Sequence, residues 1–293
     1  MLNKISYPVL ESKNIKRLIK ESYLYACKKD VESIKPGNVS ITSPHRDTMA
    51  NDYIQSSIYT SDILVEDNLT LGERIYNSIL ITKKNISTNT NLGIILLCAP
   101  IIHSLLTYRN CPITDSILQT IDNSTINDTL DICNAIKLAN PGGIGESSKY
   151  DIFNSPQEKL FKIMNHSSEY DRISYQYTHK FEDILNLVVP ILVFDNTRYK
   201  DINLAVSISF MRVLSTIIDS HIRRKLGDKI AKKTSNQASD LIKLLDRDVS
   251  QDRLNREIVD LDCDYKKKGI NPGTTADLIV TGLMVKEIFK GTI

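Results

Sequence analysis

Apolar residues along the chain recur mainly at three- and four-residue steps. Ile15, Leu18 and Ile19 open the pattern, and Leu204, Ile208, Met211, Leu214, Ile218 and Ile222 continue it on one helical face. Strand-like alternation is scarce. The spacing predicts helices over 11–32, 47–64, 70–84, 90–107, 114–121, 127–139, 156–166, 168–193, 201–226, 228–246, 249–262 and 275–290. The expected fold class is all-α. No Gly-, Ser- or Pro-rich tract or charge block divides the chain, so residues 1–293 are expected to form a single domain.

Between these periodic segments the polar residues gather in short stretches beside glycine or helix ends. Three of the nine prolines precede glycine, in "KPGN" at 35–38, "NPGGIG" at 140–145 and "NPGTTADL" at 271–278. Each abuts a predicted helix end, and helix N-termini present unpaired N–H groups that can receive phosphate; the plainer reading is a connection between helices. In "NPGTT", Thr274 or Thr275 can cap a helix starting at Ala276. That leaves Asp277 without an explanation. In "TNTNLG", Asn89, Thr90 and Asn91 precede a strongly apolar helix that needs only one cap, so two polar side chains are left to bind water or to point into a cavity.

Asp219 interrupts the apolar pattern of "VLSTIIDSHIRRKLG", where a buried carboxylate needs a partner or a metal. A salt bridge to Arg223 is one reading; a carboxylate for Mg²⁺ or substrate beside the phosphate-binding cations Arg224 and Lys225 is the other. Asp47, Asp171 and Asp277 neighbour polar stretches in the same way.

Composition narrows the classes. Lys+Arg at 37 against Asp+Glu at 35 gives a net charge of +2, without the basic excess of a nucleic-acid binder. Five cysteines with no Cys-x-x-Cys spacing read as reduced thiols of a cytoplasmic protein. The N-terminal stretch lacks the apolar core of a signal peptide, and the longest apolar run, 92–106, is shorter than the ~20 residues of a membrane span, so no membrane is expected as a partner. A Gly-x-x-x-x-Gly-Lys-Ser/Thr loop, a Gly-x-Gly-x-x-Gly turn, a Gly-x-Ser-x-Gly elbow and a His-x-x-x-His pair are all missing. Hard-metal, phosphate-rich chemistry survives this elimination.

Taken in order, "KPGNVS", "HRD", "NTNLGIILLCAP", "AIKLANPGGIG", "YDRISYQY", "DSHIRRKLG" and "NPGTTADLIV" resemble the triphosphoribosyl-dephospho-CoA synthase family from about residue 31 to 285. The resemblance implies an all-α enzyme that moves the 5-triphosphoribosyl group of ATP to the 2′-hydroxyl of 3′-dephospho-CoA and releases adenine. ATP is then a substrate, Mg²⁺ its expected companion, and a homo-oligomer is compatible with the reading.

Carried over residue by residue, the resemblance gives His45, Asp47, Asp219 and Asp277 as catalytic candidates, and the residues themselves make Asp219 and Asp277 the candidate Mg²⁺ ligands. For nucleotide and phosphate binding it gives Lys35, Gly37, Asn38, Asn89, Thr90, Gly142, Gly143, Gly145, Arg172, Arg224, Lys225 and Gly273, and the spare polar position Asn91 joins them from the pattern of "TNTNLG". The "NTNLG" and "RKLG" spellings are those of the methylotroph and methanogen branch; the citrate-lyase branch has a His-Lys-Gly version. An alternative acceptor, in one-carbon or pterin cofactor biosynthesis, therefore stands beside dephospho-CoA. A catalytically silent nucleotide-binding module is the rival from another class.

Overall fold

The computed structural model describes residues 12–44, 49–142, 157–245 and 250–290. Among these residues the chain is all-α, with an isolated Ser40–Ser43 bridge as its sole β-type pairing. The helices are α1 Ser12–Glu32, α2 Ala50–Leu64, α3 Leu71–Asn85, α4 Leu92–Thr107, α5 Ile113–Asp122, α6 Ile126–Ala139, α7 Leu160–Ser167, α8 Arg172–Thr178, α9 Val189–Arg198, α10 Ile202–Thr216, α11 Ser220–Leu226, α12 Asp228–Leu245, α13 Gln251–Lys267 and α14 Gly273–Ile288. A π-helical turn, Asp183–Val188, leads into α9.

Local chemistry sets many of these boundaries. Thr70 and Thr125 each cap a helix and in return donate their own N–H to the acid three residues on, Glu73 and Asp128. Asn140 ends α6 in the left-handed conformation at φ 46°. Arg74, buried at 2 % exposure, donates to the carbonyls of Ile63, Leu64 and Leu69 and so closes the C-terminus of α2.

The core runs as one cluster from Ile15 to Phe289. Its axis is α14, buried on nearly every side, with α1, α4, α9 and α10 packed around it. A helix apolar all round belongs in the middle of a bundle. Burial of α14 carries its first turns, with the half-buried Asp277, into the body of the molecule.

Two predicted helices are broken. The 168–193 segment divides at Lys180 and Phe181, both in the left-handed region at φ 54° and 56°. Phe181 is fully buried there, and Asp183 turns back to take the Arg172 fork. The 201–226 segment breaks at 217–219, because the Asp219 side chain starts a new helix instead of continuing the old one. In the opposite sense, α13 runs five residues past the predicted end at 262. No single helix among the described residues is long and apolar enough to cross a membrane.

Candidate active site

The turn ahead of α14 is closed in a way the local sequence does not announce. Pro272 stands at the cap position and makes no side-chain cap bond. The cap comes from Asp219 instead, whose Oδ2 accepts from Thr275 N and Thr275 Oγ1, both at 2.8 Å. Its Oδ1 accepts from Ile222 N at 2.9 Å. One carboxylate, 1 % exposed, thus closes the N-termini of both α11 and α14. Burial raises its pKa, and these donors work against that rise. Neither threonine is the cap; Thr275 is the donor.

Further bonds lock the neighbouring segments. Ser220 Oγ accepts from Arg172 N at 3.1 Å and lies 3.0 Å from Thr274 Oγ1. Asp171 caps α8 through Ser174 N, and its Oδ2 accepts from Arg224 Nη1 at 3.2 Å. Arg224 Nε donates to the Gly142 carbonyl at 3.4 Å. Across from them, Asn89 Oδ1 accepts from Leu92 N at 3.3 Å and Thr90 bonds Ser56. Asn38 Nδ2 donates to Asn271 Oδ1 at 2.9 Å, joining the first Pro-Gly turn to the last.

These segments enclose a cavity of about 740 Å³. One wall is polar, with Asn38, Asn89, Thr90, Asp171, His221 and Asp277, and Arg223, Arg224 and Lys225 stand beside it. The other wall is apolar, from Ile132 and Ile136 of α6 and Leu160, Ile163 and Met164 of α7. A cavity with a charged end and an apolar end suits a ligand with phosphates and a less polar body.

Asp277 is the anomaly in the polar wall. Its carboxylate accepts no hydrogen bond from any described residue, and a β-carbon on Gly93 would stand 2.0 Å from its Oδ2. Burial drives its pKa well above the usual carboxylate range, and the charges of Asp30, Asp219 and Asp171 add to this against Arg224. Asp277 is therefore a carboxyl group that holds its proton more tightly than an ordinary carboxylate and faces the cavity.

Of the residues named from sequence, Asn38, Asn89, Thr90, Gly142, Arg224, Lys225, Gly273 and Asp277 share this cavity, although they lie far apart along the chain. Others are held elsewhere. Lys35 is fully buried, 3.1 Å from Asp30 Oδ1, and also donates to the Asp30 carbonyl. It has no reach to a phosphate. Gly37, at φ 82°, donates its N–H to Asp262 Oδ1 and has its α-carbon against the Ile270 carbonyl, so it holds the turn and lies outside the cavity wall. Asn91 donates to Thr82 Oγ1 at 3.1 Å and is buried. Arg172 forks onto Asp183 at 2.6 and 2.7 Å and stacks on the Tyr175 ring. His45, Asp47, Gly143 and Gly145 lie outside the described residues.

Asp219 does not fit a metal-ligand role, because three donors already occupy its two oxygens. Among the described residues no group of three or more His, Cys, Asp or Glu side chains is placed to hold a metal ion. Asp277, a single carboxyl group with a raised pKa, is a poor substitute for such a cage.

Two cavity residues escaped the motif reading. His221 follows Asp219 in a stretch taken as continuous helix; burial, with Lys225 and Arg224 nearby, lowers its pKa to about 3, and its buried Nε2 has no hydrogen-bond partner. Gly273 makes room for it, since a β-carbon there would lie 3.0 Å from Nδ1. Asp30 sits in a lysine-flanked stretch that looks like a solvated helix end, yet it is 3 % exposed and lines the cavity.

Residues 16–292 match the CitG family, described as ATP:dephospho-CoA triphosphoribosyl transferase. The chain belongs to this family. It is accordingly an ATP-dependent transferase of the triphosphoribosyl-dephospho-CoA synthase type, and ATP and dephospho-CoA are the small-molecule substrates of the family. A crystal structure from Archaeoglobus fulgidus, assigned as a triphosphoribosyl-dephospho-CoA synthase, superposes with a TM-score of 0.63 at 20% identity, covering 80% of this chain and 98% of that one. At that identity the likeness is one of fold. No curated protein matches the sequence.

Proposed function

We propose that the cavity around Asp277 is the active site in which the triphosphoribosyl unit of ATP passes to the 2′-hydroxyl of 3′-dephospho-CoA, with release of adenine. The observation that carries this reading is a carboxyl group that accepts no hydrogen bond from any described residue, with a pKa raised by burial, in the same cavity as three cations. Cleavage of the bond between ribose C1′ and adenine N9 develops oxocarbenium character on the sugar and negative charge on the base. A carboxyl group whose pKa is raised by burial can hold a proton and deliver it to the departing adenine, and this is the part assigned to Asp277.

Lys225 and Arg224 neutralise the triphosphate by fixed charge, aided by the N-termini of α4 and α14. Arg224 is held in place by Asp171, so it is oriented before substrate arrives. His221 remains an uncharged imidazole beside these cations and contributes a hydrogen-bonding group without adding to the charge. The apolar wall of α6 and α7 keeps water from the sugar carbon, where it would produce hydrolysis instead of transfer. Magnesium belongs to this reading as part of the MgATP substrate, bound to phosphate oxygens, and no step is assigned to it.

The test is an acceptor screen. The protein is incubated with ATP and Mg²⁺ alone and with dephospho-CoA, a pterin alcohol or another hydroxyl acceptor, and adenine is followed by chromatography. Adenine release dependent on dephospho-CoA is expected. Release with only a different acceptor transfers the reading to that acceptor, and ATP binding without adenine release under every condition defeats it.

A further inference from the structure

Asp30 belongs to none of the motifs that carry the family resemblance. It lies in the last turns of α1, which packs along α14, and both Asp30 and Asp277 reach the same cavity. Its Oδ1 stands 3.1 Å from Lys35 Nζ but accepts no well-directed hydrogen bond. Lys35 is held in turn by the Asp30 carbonyl, with no exposure to solvent. An ion pair buried this deeply gives little net stability over an apolar pair of the same size, so its presence in a cavity wall calls for another use.

The surroundings of the two acids differ in kind. Asp30 has a cation fixed beside it, whereas no described cation lies within hydrogen-bonding reach of Asp277, which rests against Gly93. Burial raises the pKa of both, but Lys35 opposes the rise at Asp30 while the Asp30 charge adds to it at Asp277, and two carboxyl groups placed in such unlike surroundings within one site can take opposite parts in proton transfer.

We propose that Asp30 is the second catalytic carboxylate of this site, the base that accepts the proton of the attacking hydroxyl while Asp277 acts as the acid. This rests on the transferase reading above. As the acceptor oxygen forms its bond to C1′, its proton passes to the Asp30 carboxylate. The C1′–N9 bond breaks with its electron pair going to adenine, which takes the Asp277 proton. Asp30 then holds one proton more and Asp277 one fewer, and exchange with solvent restores both. Burial raises the Asp30 pKa and Lys35 works against that rise, so Lys35 acts as a positioning residue.

Among the described residues, the charged and titratable groups Lys35, Cys27 and Asp277 face Asp30; Asp219 and Arg224 of the α11 segment, Asp171 of the α8 cap and Cys98 of α4 join Asp30 around Asp277.

Asp30→Asn and Asp30→Glu are compared with wild type for ATP affinity by calorimetry, adenine release in single turnover, and the titration of Asp277 by carboxyl-carbon NMR. Asp30→Asn is expected to bind ATP within about threefold of wild type and to release adenine about 100-fold or more slowly. Asp30→Glu is expected to recover at least about tenfold of that loss, and the Asp277 titration in Asp30→Asn to move to lower pH. Adenine release within about threefold of wild type in Asp30→Asn, or an Asp277 titration that does not move, overturns the proposal. If Asp30→Asn does not fold, the pH profile of Asp30→Glu decides: an acid limb identical to wild type rejects the base role. A wild-type protein that releases no adenine with any acceptor defeats the transferase reading itself and this proposal with it, whereas an active wild type with an indifferent Asp30 defeats only the proposal.

Discussion

Gly93 lies flat against the carboxyl group of Asp277, so closely that a β-carbon at residue 93 would stand 2.0 Å from Oδ2 and 2.5 Å from Cγ. No real β-carbon tolerates such a contact, so this glycine is what lets α4 and the acid occupy adjacent space. Gly93→Ala is expected to push Asp277 out of its position, to destabilise by about 1–3 kcal/mol as overpacking does, and to slow adenine release about 100-fold. Melting temperature and single-turnover rate on one preparation check it; an alanine variant with full activity shows that the position of Asp277 does not matter.

Asp277→Asn separates chemistry from stability. A carboxyl group whose pKa is raised by folding binds its proton more tightly in the folded state. It therefore adds stability at low pH, and that contribution is lost as pH rises through the folded value. Asparagine cannot ionise, so Asp277→Asn is expected to melt at or above wild type at pH 8, with the gap narrowing toward pH 5, while adenine release collapses. Melting curves at the two pH values that run parallel for both proteins would count against an acid whose pKa is raised by folding.

Asp219 is expected to behave in the opposite way. Asp219→Ala removes the caps of α11 and α14 together, at about 1 kcal/mol for each cap and up to about 2. Asp219→Asn keeps one cap but turns an amide donor toward either Thr275 or Ile222. Urea denaturation is expected to show a large drop in midpoint for alanine and a smaller one for asparagine. A stable but inactive Asp219→Asn would return this residue to the chemistry.

Lys35→Ala tests whether that lysine meets phosphate. Its ammonium group is buried against Asp30, and removing one member of a buried pair destabilises by about 3–5 kcal/mol. The expected result is a low melting temperature, with the double change Lys35→Met and Asp30→Asn recovering part of the loss. Lys225→Ala, at the exposed edge of the cavity, is expected to leave the melting temperature unchanged and to weaken ATP binding by about 1.5–3 kcal/mol, an effect that shrinks at high salt. Calorimetric titration with ATP at two salt concentrations distinguishes the two lysines.

What the sequence determined by itself is what depends on near neighbours. The three- and four-residue apolar step specified helices because amphipathic periodicity is a local property, and the all-α class follows from it. The ordered run of polar stretches from "KPGNVS" to "NPGTTADLIV" carried the family, since each stretch is a short string read without knowing where it lies in space. Tertiary structure decided which of those residues face one another. A carboxylate near a helix start reads the same in sequence whether it caps, as Asp219 does for α11 and for a helix more than fifty residues away, or stands unbonded in a cavity, as Asp277 does. A lysine beside a Pro-Gly turn reads as a phosphate ligand until the fold buries it on Asp30, and Asp30 reads as a solvated helix end until α14 packs beside it. The protonation state of each acid is set by burial and by charges distant along the chain, and those arise only when the helices pack.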